Sequence, residues 1–146
     1  MKINKYFFLI SFFFSFFAFS IDQGDKTIHF VASWNQDLHV AQGRYQASYA
    51  FWDDFSAGPV FEHNQFFMAP ALGVTWHLEP FEITTHAGPL FWKREGIKKT
   101  VFQISLHAQY LIQITTHFQA LVSAGVNLPD QFFRGVPIGL GMRYWF

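Results

Sequence analysis

Residues 134–146, RGVPIGLGMRYWF, alternate without interruption. Val136, Ile138, Leu140, Met142, Tyr144 and Phe146 share one parity, and Pro137, Gly139, Gly141, Arg143 and Trp145 the other. Successive side chains of a β-strand point to opposite faces, so this is a strand with one apolar face and one small or polar face. A helical period of 3.6 would scatter the same apolar residues around a cylinder. The pattern recurs upstream. Phe102, Ile104, Leu106, Ala108, Tyr110 and Ile112 oppose Gln103, Ser105, His107, Gln109 and Gln113. Phe118, Ala120, Val122, Ala124 and Val126 oppose His117, Gln119, Ser123, Gly125 and Asn127, and Tyr45, Ala47, Tyr49 and Phe51 oppose Gln42, Arg44, Gln46 and Ser48.

With the turn signals between runs, the chain divides into eight strands at about 27–35, 39–52, 55–63, 66–78, 81–93, 99–113, 116–127 and 134–146. Ahead of them, Lys2 and Lys5 precede an apolar run over 6–19 broken only by Ser11 and Ser15, and Ala18-Phe19-Ser20 offers a small–x–small cleavage site. Residues 1–20 are therefore expected to be a secretory signal peptide, and 21–146 a single domain. After residue 20 no stretch approaches the ~18 apolar residues of a membrane helix. There is no cysteine, hence no disulfide framework and no thiol chemistry. Acidic and basic residues are equal in number, and no basic face marks a nucleic-acid partner.

Alternation fits a water-soluble barrel as well as a membrane one; the polar parity separates them. It holds mainly Gln, His, Ser, Gly and Asn, with Arg44, Glu62, Glu82 and Arg143 as its principal charges. A water-facing surface carries roughly a quarter to a third charged residues, whereas only 14% of this chain is charged. The polar parity thus reads as a packed interior and the apolar parity as a lipid-facing exterior. A membrane protein built of strands must close, because lipid offers no partner to an open edge. The expected fold is an all-β, eight-stranded antiparallel up-and-down transmembrane β-barrel with short loops. Outward aromatics sort toward two ends, Trp34, Phe61, Phe66, Phe91 and Phe102 at one, Tyr49, Phe51, Trp76, Phe81, Phe118, Tyr144 and Phe146 at the other, as in membrane aromatic girdles.

The inward polar residues His29, Arg44, Glu62, His77, Glu82, His86, His107, His117, Ser123 and Arg143 form the expected lumen network. Arg44 falls beside Glu62, His77 opposite Glu82, and Arg143 near His29. A turn near 114–116 sets His107 opposite Ser123, and a loop near 96 sets His86 opposite His107. Serine beside histidine is half of a nucleophile–base pair, but no carboxylate orients the imidazole and no oxyanion hole is recognisable, so no catalytic residue is assigned. No metal or other cofactor is assigned either, because spacing on separate strands does not establish converging ligands. Trp52, Trp92 and Trp145 are expected to point inward, and with Arg, Gln and His they leave little room for a pore.

With its leader, its strand count and its terminal Tyr144-Trp145-Phe146, the chain resembles the small eight-stranded outer-membrane β-barrels. That resemblance implies residence in the bacterial outer membrane, Tyr144 and Phe146 as an assembly signal read by the outer-membrane assembly machinery, and a monomer. It also implies both termini in the periplasm, periplasmic turns at Asp53-Asp54, Glu79-Pro80 and Ile114-Thr115, and outer loops at about 36–38, 63–65, 94–98 and 128–133. The class includes lipid A deacylases with a His-x-Ser-Asn motif; here Ser105-Leu106-His107 stands reversed and without the Asn. Lys93, Arg94, Lys98, Lys99 and Arg134 crowd the outer side, and such a cationic rim suits lipopolysaccharide phosphates. The expectation is a structural or surface-interaction protein with a plugged lumen; a lipid A-modifying enzyme and a narrow solute channel are the alternatives. Expression in a Gram-negative host with amino-terminal sequencing checks the leader: the mature chain should begin at Ile21.

Overall fold

The computed structural model describes residues 24–35, 39–52, 54–78, 80–94, 96–128 and 136–146. The signal segment, the 36–38 loop, most of the 128–133 loop, Asp53, Glu79 and Arg134 lie outside these residues.

Eight strands form a closed antiparallel barrel in sequence order. They are β1 (Lys26–Asn35), β2 (Val40–Trp52), β3 (Phe55–His63), β4 (Phe67–Leu78), β5 (Phe81–Arg94), β6 (Ile97–Gln113), β7 (Phe118–Leu128) and β8 (Pro137–Trp145). The seam between β1 and β8 runs from Thr27↔Trp145 to Asn35↔Pro137. Beyond it Lys26 and Phe146 exchange backbone hydrogen bonds of 3.0 and 3.1 Å. At Gly58 a Cβ would stand 1.9 Å from the Ala47 carbonyl oxygen, so only glycine lets β3 approach β2 this closely.

The two faces are inverted relative to a water-soluble protein. Arg44, Glu62, Glu82, His86, His107, Gln103, Gln109 and Ser123 are buried, while Leu72 is 74% and Leu140 67% exposed. Trp34, Phe91 and Phe102 are exposed toward one end, Tyr49, Phe51, Trp76, Phe81, Tyr144 and Phe146 toward the other. Apolar aromatic bands around an aliphatic belt, outside a hydrogen-bonded interior, are what a lipid-facing barrel requires.

Two turns are tighter or longer than the sequence suggested, and each moves the register. The 94–98 loop contracts: Arg94 pairs with Ile97 and Gly96 takes φ +82°, the left-handed conformation that two-residue hairpins favour. His86 therefore lies opposite Ser105, and His107 opposite Thr84. On the next hairpin, Ile114 and Thr115 both donate to the Phe118 carbonyl, so the turn covers 114–117. Ser123 then faces Gln109, and His107 faces Gly125. Each correction slides a pairing by two residues and leaves every side chain on its expected face.

His117 is a different correction. It sits on the turn before β7, exposed, its Nδ1 3.2 Å from the Trp145 carbonyl oxygen, and is not in the lumen. Trp52 also leaves the lumen, being 71% exposed, because the β2/β3 register shifts between Ala50 and Trp52 and turns it outward. Phe66 lies in the turn before β4, its ring 5.6 Å from Trp92, rather than on the lipid face.

A charge placed on the exterior tests the assignment of faces. Leu140→Arg, at mid-strand on β8, should destabilise the barrel by about 2–4 kcal/mol in lipid vesicles. Unfolding in denaturant followed by tryptophan fluorescence measures it; a neutral effect would place Leu140 in water.

Candidate functional site

The lumen holds two carboxylates, each at the centre of a separate cluster. Near the end where the chain enters and leaves the barrel, Glu82 of β5 is fully buried. Arg143 Nη1 donates to its Oε1 at 2.5 Å, and His77 Nδ1 is 2.5 Å from the same oxygen. His29 Nδ1 stands 3.9 Å from Oε2. Strand pairing brings these together, since His77 is the cross-strand partner of Glu82 and His29 that of Arg143. The histidines are held from behind: His77 Nε2 lies 2.9 Å from Ser56 Oγ, and His29 Nε2 3.1 Å from Thr27 Oγ1. The Arg143 guanidinium covers the Trp145 ring at 4.8 Å. A cavity of about 490 Å³ opens onto this cluster, lined in part by Asp25, Asp54, Ser56, His77 and Trp145.

Across the middle runs a chain of neutral groups. Gln46 Nε2 donates to Ser48 Oγ and Thr75 Oγ1, each at 2.8 Å; Thr75 and Thr84 hydroxyls are 2.9 Å apart; Gln109 Nε2 donates to Thr84 at 3.0 Å. Arg44 Nη2 donates to Ser123 Oγ at 3.5 Å.

The second carboxylate, Glu62 of β3, is also fully buried. Its Oε2 is 3.3 Å from His86 Nε2, its Oε1 3.2 Å from His107 Nε2, and Gln103 Nε2 donates to Oε2 at 3.1 Å. The two imidazoles stack, ring centroids 5.2 Å apart and planes 9° from parallel. Glu62, His86 and His107 are a group with metal-ligand chemistry among the described residues, their donor atoms all within 4.8 Å of one another. Above them Phe67, Ala69 and Leu90, with Trp92 and Val101, form an apolar layer.

The lumen residues expected from the sequence thus separate into Glu82, His29, His77 and Arg143 on one side and Glu62, His86 and His107 on the other. Arg44 and Ser123 lie between, and His117 is outside. The Ser123–His107 pair does not form. Gln103 and the Gln46–Thr75–Thr84–Gln109 chain went unassigned; each shares the inward parity of its strand, but parity does not tell which strand faces it across the barrel.

The cationic residues also divide. Lys93 and Lys98 are cross-strand partners on the lipid-facing parity, whereas Arg94 and Lys99 fall on the lumen parity. The Arg94 guanidinium lies 5.2 Å from the Phe66 ring centroid. All four are exposed.

No protein-family model matches the chain, and no curated protein sequence matches it. Solved structures do. The amino-terminal β-barrel domain of Pseudomonas aeruginosa OprF matches with a TM-score of 0.67 at 14% identity, over 85% of this chain and 98% of that one. A de novo designed transmembrane β-barrel matches at TM-score 0.57 and 16% identity, over 86% and 98%. The Yersinia pestis outer membrane protein Ail in a phospholipid nanodisc matches at TM-score 0.56 and 14% identity, over 85% and 100%. The chain has the fold of the small outer-membrane β-barrels, and the outer-membrane location expected from its sequence accords with that fold.

The Glu82 cluster carries a stability prediction. Glu82→Gln leaves Arg143 buried without its anion and should cost about 3–5 kcal/mol. Glu82→Gln with Arg143→Met should recover a large part of that loss. Denaturant unfolding of the single and double variants measures the coupling.

Proposed function

We propose that this protein is an integral outer-membrane barrel with a structural or surface-interaction role, non-catalytic and non-conducting, whose outer rim binds lipopolysaccharide phosphates. The observation that carries the reading is the lumen itself. Two charged clusters, a hydrogen-bonded chain and an apolar layer line the interior, which supports a barrel without a continuous water path. Among the described residues the lipid-facing side holds mainly aliphatic and aromatic side chains and no base-paired nucleophile, which supports a non-enzymatic role over lipid A modification.

Lipopolysaccharide contact rests on Lys93 and Lys98. Two like charges directly opposite each other across a strand pair repel. On the exterior at the outer end, an anion between them offsets that repulsion, and phosphate supplies it with charge-assisted hydrogen bonds. Arg94, Lys99 and Arg134 extend the same cationic rim in this reading. Tyr144 and Phe146, outward on β8 with rings 5.7 Å apart, serve as the signal read by the outer-membrane assembly machinery, and the barrel works as a monomer.

Two measurements test the reading. Planar-bilayer recording of the purified barrel should show no stepwise conductance; discrete channel events would refute the plugged lumen. Lys93→Glu with Lys98→Glu should weaken binding to lipopolysaccharide vesicles and leave binding to phosphatidylcholine vesicles unchanged. Equal lipopolysaccharide binding by the parent and the variant would remove this pair from the contact.

A further inference from the structure

The two buried carboxylates are compensated differently. Glu82 has a guanidinium at 2.5 Å. Glu62 is met by two imidazoles and an amide, while Arg44, its cross-strand neighbour, turns its Nη2 toward Ser123. Arg44 acts on Glu62 through charge alone, and a buried anion without a cation in direct contact is costly. We propose that Glu62, His86 and His107 bind a single divalent transition-metal ion, zinc by preference, inside the barrel.

Three observations converge. The first is distance. Four ligands around zinc at its usual bond lengths stand about 3.3–3.6 Å from one another. His86 Nε2 is 3.3 Å from Glu62 Oε2 and His107 Nε2 3.2 Å from Oε1, one imidazole to each carboxylate oxygen, and a set of one ligand atom from each residue fits within 4.8 Å.

The second is satisfaction. His86 Nε2, His107 Nε2 and Glu62 Oε1 are buried and make no hydrogen bond of good geometry. Buried polar atoms normally find partners, and a cation there supplies one to all three.

The third is the cradle. Each imidazole faces a glycine on the adjoining strand, His86 facing Gly73 and His107 facing Gly125. At Gly125 a Cβ would stand 2.2 Å from His107 Nδ1, so only glycine lets that ring lie against β7. Gln103 holds the carboxylate from the far side, as outer-shell groups do at metal centres.

Two imidazoles and one carboxylate select zinc or a neighbouring first-row ion over calcium or magnesium, which take oxygen ligands. The remaining position falls to a water. The ion's role is to tie β3, β5 and β6 together, coupling metal binding to folding.

The test uses the mature barrel refolded in detergent with zinc sulphate, desalted, and analysed for metal by mass spectrometry. The parent protein should retain one zinc per chain. His86→Gln, His107→Gln and Glu62→Gln should each lose it, His77→Gln should keep it, and Gln103→Leu should weaken affinity roughly 10–100-fold. Zinc absent from the parent, held equally by His86→Gln and His107→Gln, or removed instead by changing the exposed His39 and His117, would overturn the site. Cobalt substitution of the parent needs no variant to fold. Intense visible bands of a four-coordinate ion support the site, and the weak spectrum of hydrated cobalt refutes it.

Discussion

Every strand in this barrel depends on the pairing of β1 with β8. In hydrocarbon an unpaired backbone group has no water to turn to, and each one left open costs several kcal/mol. A sheet of seven seams would present two open edges along its full height; the eighth seam removes both. It continues past the strand ends, where Lys26 and Phe146 bond each other through both backbone groups and Trp145 N donates to the His117 carbonyl at 2.9 Å. Closure fixes strand number, and strand number fixes the width of the interior. The lumen residues therefore had to fit a space set by the backbone, which accounts for glycine at 73 and 125 opposite the two bulkiest inward rings of that level.

Filling the lumen with polar groups creates a second constraint. Lipid surrounds the barrel, so an interior carboxylate must find its compensation within it. Glu82 does so with an arginine and histidines braced by Ser56 and Thr27. Between the carboxylates run amides and hydroxyls, which donate and accept at once and can be joined in series. Among them Arg44 is the charged group, a charge partner of both Glu62 and Glu82.

Much of this was legible from the alternation alone. Parity assigned the inward and outward faces of β5, β6, β7 and β8 correctly, and a misjudged turn could not corrupt it, because the register errors were of two residues. What failed was local. Gly96 allows a two-residue hairpin where the pattern reads as a longer loop, which moves His107 from His86 to Thr84. Ile114 and Thr115 shared one carbonyl, which moved Ser123 to Gln109 and left His117 on a turn. A bulge at Trp52 sent one tryptophan outward. The Glu62 cluster was out of reach for another reason. Its members lie on β3, β5 and β6 and meet across the barrel, and linear spacing carries no information about which faces converge through a lumen.

The cavity beside the Glu82 cluster reaches a mouth lined by Asp25 and Asp54, while Phe67, Ala69 and Leu90 pack with Trp92 into an apolar cluster on the Glu62 side. Solvent deuterons entering by that mouth meet the Glu82 cluster before the Glu62 imidazoles. Two clusters built from the same kinds of side chain therefore stand at different depths from one opening, and amide exchange around them reads that depth.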